Sequence, residues 1–160
     1  LCKKRETGRR RATGGTLFDV ETRERLVSKL SAALARSDAR QWVSAALLFG
    51  SASRGSMRPH SDVDVGIVPN GDGPSLAEEL ALQVELSRAC GREVDLVRLD
   101  GADSILRWEA AREGLTLYSE PAGAAARFRA EAALEHADVG PLVEQGAERW
   151  RDAVLRRPSQ

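Results

Sequence analysis

Three aspartates and a glycine–serine pair are the residues of this sequence whose types and spacing could do chemistry. Asp62 and Asp64 lie in a stretch, Asp62 to Val68, that alternates carboxylates with β-branched or small residues. At the period of a strand, Asp62 and Asp64 share one face while Val63 and Val65 take the other. Two adjacent carboxylates repel, and one tends to protonate unless a cation intervenes. Mg²⁺ suits such a pair, because it takes carboxylate oxygens together with substrate phosphates. A third carboxylate, Asp95, sits in Glu93-Val94-Asp95-Leu96-Val97, where Glu93 and Asp95 share the face opposite Val94 and Leu96. If the two strands are neighbours, Asp95 completes a three-carboxylate cluster suited to two-metal phosphoryl or nucleotidyl transfer. Asp95 could then also help to deprotonate the nucleophile.

Gly50 and Ser51 precede this cluster by a ten-residue spacer, Ala52 to Ser61. Gly50 permits a sharp strand exit and close approach of backbone to a ligand. Ser51 offers a hydroxyl and an N–H to a phosphate, and a short helix starting over Ala52–Arg54 would add an anion-binding N-terminus. Arg54, followed by Gly55, supplies a cation for a triphosphate. Gly50, Ser51, Arg54 and Ser61 form the expected nucleotide-binding set, Asp62, Asp64 and Asp95 the expected catalytic and metal-binding set. His60 reads as a surface loop residue. Taken singly, each feature is ordinary: an Asp-x-Asp can be a turn element, and Ser61 a turn residue. Their joint occurrence carries the weight.

The elements that must position these residues follow from pattern. Leu26, Val27, Leu30, Ala33 and Leu34 recur at helical spacing within about 19–39. Trp42 to Phe49 is an apolar run ending at Gly50, which reads as a buried strand; Gly50 to Ser61, rich in Gly and Ser, reads as a loop. After the strand Asp62–Val68, Pro69-Asn70-Gly71-Asp72-Gly73 signals a turn. A helix follows from Pro74, with Leu76, Leu80, Leu82, Val84 and Leu86 as its apolar residues, and ends at Gly91. Then come a strand over Glu93–Leu99, a helix over Ser104–Arg112 and a strand over Leu115–Tyr118. The chain after Pro121 reads as helical, broken at Gly140-Pro141. The order α-β-loop-β-α-β-α-β-α-α predicts an α+β (mixed α/β) domain, a small mixed sheet with flanking helices. Trp42, Trp108 and Trp150 are expected in the core.

The 160 residues suffice for one domain with a proper core, and 42% apolar with 30% charged residues is a globular composition. The formal net charge of zero is a sum of unequal parts. Residues 1–15 carry six cations and Glu6, for +5; the remainder carries 18 cations against 23 anions, for −5. A basic arm therefore precedes an acidic body, and the body lacks the basic track that nucleic-acid binding requires. Only the arm could contact nucleic acid. Cys2 and Cys90 do not suggest a disulfide framework. No apolar run approaches the ~20 residues of a membrane span, and the arm has no apolar signal-peptide core, so a cytoplasmic protein with no membrane partner is expected.

On these residues the sequence resembles the nucleotidyltransferase superfamily that includes DNA polymerase β, and more closely the minimal nucleotidyltransferases (MNT) of prokaryotes. The family signature of Gly-Ser, about ten residues and Asp-x-Asp falls on Gly50-Ser51, Ala52–Ser61 and Asp62-Val63-Asp64. The family's Ala-Arg-Gly is Ser53-Arg54-Gly55 here, a mild departure. Its third carboxylate matches Val94-Asp95-Leu96-Val97, and Arg112-Glu113-Gly114-Leu115 with Leu117-Tyr118 resembles its end. The resemblance spans about residues 25–120 and implies transfer of a nucleoside monophosphate from a triphosphate to a hydroxyl, with Mg²⁺. It further implies an MntA-like antitoxin that uses ATP to adenylylate a tyrosine of a HEPN-type toxin. A HEPN domain is too large for the residues after Tyr118, so such a partner acts in trans. The expected organisation is a flexible arm (1–15), a nucleotidyltransferase domain (16–120) and a helical extension packed on it (121–160). The extension's apolar residues could contact the toxin. A small-molecule (aminoglycoside-type) nucleotidyltransferase and a catalytically silent toxin-binding module are the alternatives.

Overall fold

The computed structural model describes residues 20–58 and 60–138; the basic arm, Gly140-Pro141 and Trp150 lie outside the described residues. The elements run α1 (Val20–Leu34), a 3-10 turn (Asp38–Gln41), β1 (Val43–Leu48), α2 (Gly50–Ser53), β2 (Val63–Pro69), α3 (Leu76–Cys90), β3 (Val94–Arg98), α4 (Ser104–Glu113) and β4 (Leu115–Ser119). A further helix, α5, occupies 124–138. The strands form one mixed sheet in the order β3-β2-β1-β4. β1 is antiparallel to β2 and β4, whereas β2 and β3 run parallel. The parallel pair is joined by α3, the crossover that parallel strands require.

The alternation of side chains divides the core by sheet face. Val63, Val65, Ile67, Leu48 and Val94 pack with Leu26, Leu30 and Leu34 of α1 and Leu82 and Leu86 of α3. On the opposite face Leu47, Phe49 and Leu99 pack with Ala110 and Ala111 of α4 and Phe128 and Ala132 of α5. Ala45 meets Ala124 and Ala125, small residues that let α5 lie close against the strand. The even-numbered positions of β2, including Asp64, therefore face the α4 side.

Several sequence expectations shift. The loop after Phe49 opens with the single helical turn α2, which starts at Gly50 rather than at Ala52 as considered above. In α3 only Leu82 and Leu86 are buried, while Leu76, Leu80 and Val84 are exposed. The helix carries two apolar lines, and the sheet covers one of them. Ser75, not Pro74, sets its start, through a reciprocal capping box with Glu78; Gly91, in the left-handed region at φ 71°, ends it. Trp42 and Trp108 are only partly buried against the core, and Trp108 stacks on His136 with centroids 4.8 Å apart.

This division predicts unequal costs along α3. Leu86→Ala, at a fully buried site, should lower unfolding stability by about 2–5 kcal/mol. Leu80→Ala, with 52% of the residue exposed, should change it by less than about 0.5 kcal/mol. Urea unfolding of both variants checks the assignment of the buried face.

Candidate active site

Parallel pairing puts Asp64 directly across from Asp95, with Val63 opposite Val94 and Val65 opposite Leu96. Neighbouring strands lie about 4.8 Å apart, so the two carboxylates leave the same face side by side. The pairing begins where the Val63 N–H donates to the Glu93 carbonyl at 2.9 Å. Asp62 immediately precedes β2 and is exposed, as is Asp95, whereas Asp64 is half-buried. Burial pushes the Asp64 carboxyl up from its ordinary range, and the charges of Asp95, Asp62 and Glu109 push it further; Arg54 opposes them.

Gly50 is the second constraint on Asp64. The Phe49 N–H donates to the Asp64 carbonyl at 3.0 Å, which brings the end of β1 against the middle of the site. Gly50 then adopts φ 65°, and a Cβ there would overlap Asp64 Oδ2. The glycine thus makes room for the carboxylate itself. The Ser53 hydroxyl donates to the Gly50 carbonyl at 3.0 Å, and Arg23 Nη1 donates to the Ser53 carbonyl at 3.2 Å, which ties the turn to α1.

The rest of the expected nucleotide-binding set is more dispersed. Ser51 is half-buried in α2, with its carbonyl accepting from the Ser56 N–H at 3.0 Å. Ser61 closes a turn: its N–H donates to the Arg58 carbonyl at 3.1 Å and its hydroxyl accepts from the Arg58 N–H at 3.2 Å. Arg54 caps α2, and its Nη1 donates to Glu109 Oε1 at 2.8 Å and Glu113 Oε2 at 3.0 Å. Those bonds hold the guanidinium more firmly protonated. His60 is exposed, as expected, and lines a cleft of about 420 Å³ with Ser61, Asp62, Gly91, Arg92 and Glu93. One side of Asp62 thereby faces this cleft.

Sequence reasoning missed Glu109, which adds a fourth carboxylate to the field at Asp64. Its only sequence signal is the i,i+4 spacing with Glu113, and the placement of α4 over the sheet decides that the pair faces the site. Asp103 starts α4 by accepting from the Ile105 and Leu106 N–H groups at 3.0 and 2.9 Å. Arg107 donates to the Leu99 carbonyl at 2.5 Å and to Glu135 at 2.8 Å, so α4 is bound to β3 and α5 together. From α5, Arg129 donates to the carbonyls of Ala111 and Gly114 at 3.1 and 2.8 Å, a cation on the helix C-terminus.

The donor set suits a hard divalent cation, being made of carboxylate oxygens that repel one another. Among the described residues no three Asp, Glu, His or Cys side chains converge as a ready-made metal cage. Mg²⁺ does not demand one, since one or two carboxylates and substrate phosphates suffice. Burial first, and then the neighbouring carboxylates, disfavour the charged form of Asp64, and a cation at the pair would favour it.

The family whose description is "Polymerase beta, Nucleotidyltransferase" matches residues 29–122. The chain belongs to that family. It is a nucleotidyltransferase, as the Gly-Ser and Asp-x-Asp spacing predicts. A Methanocaldococcus jannaschii chain described as a protein adenylyltransferase is 34% identical over 65 residues, 41% of this chain and 69% of that one. Among solved structures, a chain of a toxin–antitoxin complex with AMP-PNP aligns at a TM-score of 0.56 and 19% identity, covering 78% of this chain and 98% of its own. A chain from the tri-AMPylated Shewanella oneidensis HEPN toxin in complex with MNT antitoxin aligns at 0.54 and 20%, covering 78% and 98%. A structure described as a minimal nucleotidyltransferase aligns at 0.50 and 28%, covering 58% and 93%. The first two share the fold. Among the described residues no helix is long and apolar enough to cross a membrane.

Two variants test the electrostatics and the fit. The Asp64 carboxyl keeps its proton to higher pH in the folded chain than in the unfolded one. The protonated form therefore supports folding, and that support is lost as pH rises through the folded value. Asp64→Asn should raise the Tm of the metal-free protein at pH 7 by about 2 °C, a size limited by solvent screening. The gain should shrink as the pH falls through the carboxylate range. Gly50→Ala should lower stability by about 1 kcal/mol or more, because alanine is strained at positive φ and also collides with Asp64. Thermal melts of both variants from pH 4 to 8 check the signs.

Proposed function

We propose that this nucleotidyltransferase moves AMP from ATP to a tyrosine hydroxyl of a helical toxin of the HEPN type and acts as its antitoxin. The observation that carries the reading is the in-register pair Asp64 and Asp95, with Asp62 at its mouth and Gly50 fitted against it. The adenylyltransferase relative and the toxin–antitoxin complexes support the choice of donor and acceptor.

In this mechanism the β1–α2 turn, with Gly50 and Ser51, receives the triphosphate, and Arg54 contributes positive charge beside it. Asp62, Asp64 and Asp95 would hold Mg²⁺, which when bound supplies charge neutralisation at the phosphates. The acceptor oxygen attacks the α-phosphorus, the bond from that phosphorus to the bridging oxygen breaks, and pyrophosphate leaves. Asp95, exposed at the outer strand, accepts the proton of the acceptor hydroxyl. The half-buried position of Asp64 strengthens each charge interaction relative to water. The open side of Asp62 admits an acceptor carried on another protein.

Incubation of the chain with α-labelled ATP, Mg²⁺ and its cognate toxin should transfer label to the toxin, and peptide mass spectrometry should place AMP on a tyrosine. Asp62→Asn with Asp64→Asn should reduce transfer by about 10³-fold or more and abolish protection of cells expressing the toxin. Undiminished transfer by the double variant would sink the mechanism. Protection equal to that of the parent, without transfer by either, would favour a binding module instead.

A further inference from the structure

Arg54 is the cation that hydrogen bonds hold beside the carboxylates, and the structure shows what places it there. It sits at the end of a one-turn helix and is followed by Gly55 at φ 70°, so the local backbone does little to direct a long side chain. Glu109 and Glu113 are four apart on α4 and share one helix face. Both accept from the same nitrogen, Nη1, at 2.8 and 3.0 Å. A guanidinium has five N–H donors, two of them on each terminal nitrogen. The bonds to α4 therefore occupy Nη1 and leave the Nε and Nη2 donors for a further acceptor. Arg54 ends the same single turn whose first residue, Gly50, lies against Asp64 Oδ2, and that turn packs on α4, so the fork stands at the edge of the carboxylates.

We propose that Glu109 and Glu113 are positioning residues for the nucleotide, holding Arg54 by one nitrogen at the rim of the Asp64 site while its other donors meet the triphosphate. The inference rests on the reading of the chain as an ATP-using transferase. The site collects Asp62, Asp64, Asp95 and Glu109 around Arg54, and the incoming triphosphate is itself anionic. A cation fixed in advance at the rim spares the ligand the entropy of ordering a free arginine side chain. The bracing of α4 by Asp103, Arg107 and Arg129 then serves the site, since it fixes where the fork stands.

The test is a mutant cycle on nucleotide affinity in the full chain. AMP-PNP binding with Mg²⁺ is measured by calorimetry for the parent, Glu109→Gln/Glu113→Gln, Arg54→Ala and the combined variant, with thermal melts confirming that each folds. Glutamine keeps the shape and removes the charge. The glutamine pair should weaken binding about 3–10-fold and Arg54→Ala about 10-fold, and the combined variant should match Arg54→Ala alone. Label transfer by the glutamine pair should show a raised KM for ATP with kcat within about twofold of the parent. Unchanged or tighter binding by the glutamine pair would overturn the proposal, as would full additivity with Arg54→Ala or an Arg54→Ala variant that binds as the parent does. A parent chain that binds no AMP-PNP would instead overturn the ATP-using reading itself.

Discussion

Parallel pairing of β2 with β3 sets Asp64 against Asp95, and much of the site's arrangement follows from that one register. Two carboxylates on neighbouring strands of the same face repel, and a fold built for stability alone would not keep them there. The cost shows as the upward push on the Asp64 carboxyl, to which burial contributes most and Asp95 next. Such a pair becomes favourable when a cation joins it. A divalent cation held between Asp64 and Asp95 would offset that repulsion.

The surrounding elements keep that register and crowd the carboxylate. Val63, Val65 and Ile67 anchor β2 in the apolar layer with α1 and α3, and a slip by one residue would turn Asp64 into that layer. Gly50 lets the end of β1 press onto the site, where any side chain would displace Asp64. On the other face α4 brings Glu109 and Glu113 to Arg54, and α5 clamps the end of α4 through Arg129. The helix that follows the sheet therefore contributes to the site without touching it.

Much of this was legible in the sequence, because alternation on a strand is a strong local signal. The shared face of Asp64 and Asp95 follows from strand alternation, whereas Asp62 lies just before β2; the apolar run of Val43–Leu48 marks a central strand buried on both faces. The register that unites Asp64 with Asp95 is long-range, and only the family pattern pointed to it. Two further features are illegible locally for the same reason. Leu76, Leu80 and Val84 lie at helical spacing like Leu82 and Leu86, but periodicity does not say which line meets the sheet. The partners of Arg54 on α4, Glu109 and Glu113, are likewise distant in sequence, so the sequence does not announce them. The freedom of Gly50 is legible locally, whereas its close approach to Asp64 is a contact between distant parts of the chain.

The proposed mechanism requires that the carboxylates facing α4 form an anionic cluster which a divalent cation and a nucleotide relieve. Carbon-13 detected NMR titration of the aspartate carboxyls, without and with Mg²⁺ and AMP-PNP, addresses it directly. Asp64 is expected to titrate above the ordinary aspartate range in the free protein and to fall well below that value when both ligands are present. An Asp64 that titrates as a free aspartate, or whose titration does not move on adding Mg²⁺ and nucleotide, would contradict it.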